Sequence, residues 1–251
     1  MLDTIILLTG PIEQPVLTST LLGHNSCLSV RPLATLADLA ALESELLGRA
    51  RLVAFSTGVV VPSQVLNQLG YGAYNFHPGS PCFPGWAPAQ FAVYHQATEF
   101  GATAHLMTER VDDGPIVGVE SFHIPESISV RDLEALTYCH LARLFWKLAK
   151  ILATQSEPLH ELPIRWSGQK SSRRSYTAMC DIPVDISKEE LDQRIKAFGG
   201  NYFGINPTVN LFGVQFQMVA TDSSQASKAQ SWNDALNIVL HTDVKEQDRA
   251  A

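Results

Sequence analysis

Asn75 and His77 stand two apart in Asn75-Phe76-His77-Pro78-Gly79, and the same spacing returns in Thr103-Ala104-His105. On an extended segment residues two apart leave the same face, so each pair presents its polar groups together. An acidic turn follows, Val111-Asp112-Asp113-Gly114-Pro115-Ile116. A carboxamide, an imidazole and a carboxylate converging on one cleft suit acyl transfer to an amine. The amide and an imidazolium can hold a developing oxyanion, while the carboxylate tunes the imidazole and takes up protons. Each segment alone has a plainer reading: asparagine and proline favour turns, Asp-Asp-Gly-Pro makes a solvent turn, and His105 serves equally as a buried hydrogen-bonded histidine. Their coincidence carries the chemical reading.

Positioning these groups falls to alternating apolar strands and amphipathic helices. Residues 4–8 read as a buried strand ending at Gly10-Pro11, with a helix beginning in 15–22. Thr35 and Asp38 form a capping-box pattern before a helix over 35–46. Residues 51–61 read as a second buried strand interrupted at Ser56-Thr57-Gly58, 65–69 as a short helix, and 72–76 as the strand carrying Asn75. Pro88 opens a helix over 88–98, and strands follow at 102–107 and 116–122. The longest helix begins near Ser129, with Asp132 at the capping position and a stripe of Leu133, Leu136, His140, Leu144, Leu148 and Ile151. On that stripe His140 reads as a core or boundary residue.

This alternation predicts an α/β fold, a mostly parallel sheet with helices on both faces. Asn75 and Asp112 are then expected at the carboxyl ends of strands or in the loops just after them. Composition shifts after Pro158 and Pro163. A polar, basic stretch at 168–174 precedes a capped helix at 187–198, a hairpin of 209–212 and 214–219 around Gly213, a serine- and glutamine-rich 221–230, and a terminal helix over 232–241. The expected division is a catalytic unit at 1–160 and a small mixed α+β subdomain at 161–251.

The 251 residues carry a net charge of −7, with 45% hydrophobic and 17% charged residues, as in ordinary globular proteins. An acidic balance argues against a large polyanionic partner, because a phosphate backbone calls for a basic surface. Cys27, Cys82, Cys139 and Cys180 are scattered and point to neither a zinc site nor a disulfide framework. The apolar run after Met1 is short and carries Asp3, unlike a signal peptide, and no run is long enough to span a membrane. A cytoplasmic location is expected.

The site segments together resemble the signature of the 10-formyltetrahydrofolate-dependent formyltransferases, a family with an Asn-x-His-Pro segment and a later Asp-x-Gly turn. The likeness runs over about 53–116 and includes the intervening Gly101-x-Thr103-x-His105. It implies a Rossmann-like fold and 10-formyltetrahydrofolate as formyl donor. It implies that Asn75 donates a hydrogen bond to the formyl oxygen, and that His77 assists that oxyanion or relays a proton. Asp112 becomes the catalytic carboxylate, with Asp113 as spacer. An acid near His77 is expected to raise the imidazole pKa. By the same likeness Thr57, Gly58, Val59 and Val60 cradle the pterin, and Thr103 and His105 line the folate end.

For the amine, the wording Gly79-Ser80-Pro81, Phe83-Pro84-Gly85 and 193–198 is similar to the sugar-nucleotide N-formyltransferases, whereas Gly200-Asn201-Tyr202-Phe203-Gly204 departs from them. Lys170, Arg173 and Arg174 could hold a diphosphate, or form a solvated charge run; Trp86 and Tyr94 could stack on a base or sugar, or simply pack. A small-molecule amine on a nucleotide sugar is the expected partner, with no membrane and no nucleic acid, and a homodimer is compatible with it. Two other enzymes share the same three residues: a methionyl-tRNA formyltransferase and a formyltetrahydrofolate hydrolase that uses water in place of the amine. A binding protein with a vestigial site is the non-enzymatic alternative.

Overall fold

Thr4 and four uninterrupted apolar residues make β1 (Thr4–Leu8), which is buried along its whole length. It leads to α1 (Gln14–His24) and then to β2 (Ser29–Leu33), a mostly exposed strand whose Pro32 is tolerated because the strand lies at the sheet's edge. The sequence reading has no strand here. A mixed, largely polar run gives neither alternation nor a buried block. Next come α2 (Leu36–Ala40), α3 (Ser44–Leu47), β3 (Ala50–Phe55), α4 (Ser63–Leu66) and β4 (Ala73–His77). α5 (Pro88–Tyr94), β5 (Glu99–Leu106), β6 (Ile116–His123) and the long α6 (Val130–Thr154) complete the larger layer. The computed structural model describes residues 2–167 and 169–219. Gly168 and the expected 221–230 and 232–241 segments therefore lie outside the described residues.

The six strands run in the order β2-β1-β3-β4-β5-β6. Pairings among the first four are parallel, and those of β5 with β4 and with β6 are antiparallel, so β5 alone is reversed. One face packs on α1 and α6 through Ile5, Leu7, Val53, Phe55, Tyr74, Phe76, Ala102 and Ala104. The other packs on the shorter helices through Ile6, Leu8, Leu52, Ala54 and Ala73, against Leu39 and Leu47. Helices thus cover both faces of a mostly parallel sheet, as expected, with β5 its one reversed strand.

Three local expectations are corrected. The helix expected over 35–46 is two pieces, because the chain becomes extended at Glu43 before Ser44 starts the second. Its capping box is present, with Thr35 and Asp38 bonding each other's backbone. The strand expected to run to Val61 ends at Phe55, where Ser56 takes a left-handed φ of 46°. The helix from Pro88 stops at Tyr94, and Gln96 is likewise left-handed.

Beyond α6 the segment 155–172 has no helix or strand among its described residues and is fastened to β4 and β6 by Leu159 N–H on the Tyr74 hydroxyl and Leu162 N–H on Ile116 O. Buried Arg51 ties its start to β3: the guanidinium donates to Tyr71 O at 3.1 Å, Leu152 O at 2.7 Å and Glu157 O at 3.1 Å. The basic stretch continues as α7 (Arg173–Cys180), which sequence periodicity misses because only Tyr176 and Cys180 are buried. β7 (Asp181–Ile182), α8 (Lys188–Phe198), β8 (Thr208–Leu211) and β9 (Val214–Gln217) follow among the described residues, with a three-stranded sheet ordered β7-β8-β9. The expected hairpin is β8–β9, turning at Phe212-Gly213 with both residues left-handed. No helix among the described residues is long and apolar enough to cross a membrane.

Candidate active site

Strand alternation delivers the polar groups to one place. Tyr74 and Phe76 of β4, and Ala102 and Ala104 of β5, face α6. Asn75, His77, Thr103 and His105 therefore leave the opposite face. The β4–β5 register sets Asn75 opposite His105 and His77 opposite Thr103. Because β5 is reversed, its end lies beside Tyr74, at the start of β4, and the loop after it folds back over the sheet face. That loop carries Asp112, so the acid reaches the cluster across the face and not from a parallel strand's carboxyl end.

Asp112 is the hub. Its Oδ1 lies 3.1 Å from His105 Nε2 and 3.5 Å from Asn75 Nδ2. Its Oδ2 accepts the Gly85 N–H at 2.8 Å and lies 3.4 Å from His77 Nδ1. The residue is 3% exposed and left-handed, with φ 45°. For a non-glycine residue this conformation costs free energy and persists only where surrounding contacts enforce it. Two glycines make those contacts feasible. Gly85 has φ 95°, and a Cβ there would meet Ser171 O at 2.1 Å; a Cβ on Gly114 would meet Leu106 O at 1.9 Å. Asp113, by contrast, is half-exposed beside Arg110.

The protons can be placed by partner. Phe83 O, an acceptor only, lies 3.2 Å from His77 Nε2, so Nε2–H donates there and Nδ1 turns its lone pair toward Asp112. Leu106 O at 2.9 Å likewise takes the Nδ1–H of His105, leaving Nε2 to accept from Asn75 Nδ2–H at 3.1 Å. A second proton on that Nε2 would be donated to Asp112 instead.

Burial pushes the His77 pKa down, and this outweighs the Asp112 charge pushing it up. The expected rise is thus reversed, and His77 is a neutral base at neutral pH. Burial also pushes Asp112 up, but the His105 hydrogen bond, the two histidine charges and the Gly85 amide hold it at about 2. With His77 neutral, the hydrogen bonds from Gly85 and Asn75 remain around the carboxylate, and the His77 charge contributes only as acid protonates that ring.

Other expected site residues are placed as follows. The loop bearing Thr57, Gly58, Val59 and Val60 leaves the end of β3, where Ser56 N–H bonds Phe76 O beside His77. Nothing crowds Gly58, and Val60 is exposed. Thr103 is fully buried with its hydroxyl donated to Gly79 O at 2.7 Å, so it shapes the turn after His77. Tyr94 donates to Glu190 at 2.8 Å, which joins α5 to α8. Lys170 Nζ bonds Val111 O, next to Asp112. Arg173 and Arg174 are exposed on the first turn of α7. Trp86 lies against Phe203 at 4.2 Å and Tyr176 at 5.1 Å.

Sequence reasoning missed Gly85 and Trp166. The ring of Trp166 stands edge-on to His105 at 5.1 Å and His77 at 5.9 Å, and its N–H donates to Gly114 O at 2.9 Å. Gly85 entered only within the Phe83-Pro84-Gly85 likeness, without a role of its own, and Trp166 carried no local signal at all. Ser80, three residues after His77, is buried with its hydroxyl lacking a partner among the described residues. A buried polar atom left in this way commonly awaits a water or ligand.

The formyl transferase family model matches residues 35–139. The methionyl-tRNA formyltransferase of Synechococcus sp. (strain JA-2-3B'a(2-13)) is 31% identical over 173 residues, covering 66% of this chain and 50% of that protein. The chain spans about half, or less, of the length of the curated relatives it matches. A 4-N formyltransferase from Francisella tularensis superposes with a TM-score of 0.66 at 18% identity, covering 87% of this chain and 97% of that one. An N-formyltransferase from Helicobacter canadensis, in complex with folinic acid and dTDP-3-aminofucose, gives 0.60 at 16% identity over 85% of each chain. Both share the fold.

Proposed function

We propose that this chain, whose residues 35–139 belong to the formyl transferase family, moves a formyl group from 10-formyltetrahydrofolate to a primary amine. The observation that carries the reading is the buried contact set of Asn75, His77 and His105 around Asp112, with separations of 3.1 to 3.5 Å. The amine nitrogen bonds to the formyl carbon, the bond from that carbon to the folate nitrogen breaks, and one proton passes from amine to folate nitrogen. With one Nδ2–H of Asn75 held on His105, the other turns from its long 3.5 Å contact with Asp112 to the oxygen that becomes negative, a role worth about 2.7–4 kcal/mol in the transition state. His77 Nδ1 takes the amine's proton, and the facing Asp112 carboxylate stabilises the imidazolium. His105 orients Asn75 through Nε2. The buried, unpartnered Ser80 hydroxyl offers a further polar contact for a ligand.

We assign residues 1–160 to the catalytic unit and place the acceptor on the side of the smaller 161–251 appendage. A nucleotide-linked amino sugar suits it, with Lys170, Arg173 and Arg174 for the phosphates and the exposed Phe203 beside Trp86 for the base. The likeness to sugar N-formyltransferase folds and the net charge of −7 favour this acceptor. The named sequence relatives favour a second reading, formylation of methionyl-tRNA. Incubation with 10-formyltetrahydrofolate and a panel of amines, with a no-amine control, tests the reaction. Amino-sugar nucleotides are expected to be formylated fastest. Faster formylation of methionyl-tRNA, with affinity falling steeply as salt rises, would replace the first acceptor with the second. Formate release equal with and without amine would make the protein a hydrolase.

A further inference from the structure

We propose that Trp166 is a specificity-determining residue of this site: its ring keeps water from the His77–His105–Asp112 cluster and so directs the formyl group to the amine. The inference rests on the transfer reading above and goes beyond it, because an amine and water compete for the same carbon. With water as attacker, its oxygen bonds to the formyl carbon, the carbon–nitrogen bond of the donor breaks, the folate nitrogen gains one of the water's protons, and formate leaves with the second proton passing to solvent. The cluster would assist that reaction equally well, so something must exclude the water.

The geometry points to Trp166. His77, His105 and Asp112 are 5%, 2% and 3% exposed, although they lie on the sheet face that α6 does not cover. Trp166 stands edge-on to both imidazoles and is the one described tryptophan in ring contact with either. It is anchored at two places. Its own N–H bonds Gly114 O, in the turn that holds Asp112, and the neighbouring Ser167 N–H bonds Pro81 O at 2.9 Å, in the loop after His77. The chain on either side is fastened as well, by Leu162 N–H to Ile116 O at 2.7 Å and Ser171 N–H to Pro84 O at 3.0 Å. A long connection without regular structure is uncommon in compact domains and is usually retained for function. Here it brings an aromatic ring to the two histidines from outside the motif.

Trp166→Ala, Trp166→Val and Trp166→Phe test this with two readouts. The first is the ratio of formate released to amine formylated. The alanine variant is expected to raise it about tenfold or more, equivalent to one ordinary increment of barrier discrimination. The phenylalanine variant, which restores a ring edge, should return it most of the way to the parent value. The valine variant replaces the alanine one should that protein not fold. The second readout needs no substrate: the NMR titration of His77, which is faced by Asp112 and His105 from β5 and its following loop. Water admitted by the alanine variant should move that titration toward higher pH, and phenylalanine should restore it. A parent chain that formylates no amine would sink the transfer reading, and the His77 titration would still decide whether Trp166 seals the cluster. An unchanged ratio in the alanine variant, or a His77 titration unmoved by it, overturns the proposal.

Discussion

Asn75 and His105 are facing partners across the antiparallel β4–β5 ladder, and Asn75 Nδ2 lies 3.1 Å from His105 Nε2. The Asn75 carboxamide is therefore aimed by an imidazole and not left to rotate. Asn75→Ala, His77→Ala and Asp112→Ala should each lower turnover about a hundredfold or more, as losses of oxyanion or proton-transfer groups do. His105→Ala should lower it too, with Asn75 losing its orientation. Steady-state kinetics on the best acceptor checks all four, and two of the first three variants at parental turnover would show that the cluster is not the site.

Acid should act through two depressed pKa values. Asp112 is held at about 2 against an ordinary 3.8, which is worth about 2 kcal/mol of stability. A depressed carboxyl contributes in full above its unfolded value, so this share is present above pH 3.8 and disappears as pH falls through about 2. His77 is depressed below 6.5 by burial, and the unfolded chain protonates it first, so stability also declines once pH drops below 6.5. The acid limb of activity should lie below 6.5 for the same reason. Denaturant titrations across pH should show both slopes in the parent and lose the more acidic one in Asp112→Asn.

Gly85→Ala should damage activity without touching a side chain that reacts. A methyl there meets Ser171 O, and φ 95° strains any residue with a Cβ. Relief of that strain moves the N–H that holds Asp112 Oδ2. Activity should fall about a hundredfold, and strain of this kind costs about 1–3 kcal/mol in stability. Parental kinetics in this variant would mean that Asp112 is positioned by other contacts.

Arg51→Met should destabilise the fold by about 3 kcal/mol, because three carbonyls, the buried one of Leu152 among them, lose their donor at once. For a chain of this size that is a drop of roughly 6–12 °C in melting temperature. A thermal scan within a degree or two of the parent would show that water replaces the guanidinium.

The site was legible where residue spacing encodes geometry. Asn75 and His77, and Thr103 and His105, share a face because a strand has a period of two, and this holds whichever way the strand runs. The direction of β5 was not legible, because an apolar strand reads alike parallel or antiparallel, and that reversal decides how Asp112 arrives. Uninterrupted apolar blocks such as 5–8 and the long stripe of α6 announced themselves. The edge strand β2 and the helix α7 did not, since each buries too little to leave a pattern. The sign of the His77 shift was missed for a related reason: a neighbouring acid is visible in sequence, whereas the degree of burial opposing it emerges only from the packed chain.

Arg51 also constrains the order of events during synthesis. Its acceptors at Leu152 and Glu157 lie 101 and 106 residues further along the chain. At about 5–20 residues per second the ribosome delivers them roughly 5–20 seconds after Arg51. Until then Arg51 has only Tyr71 O of its three acceptors, and its housing is incomplete. The nascent amino-terminal half must wait for the carboxyl end of α6, which makes it a prospective chaperone client during that interval, and fragments ending before residue 152 should never mature.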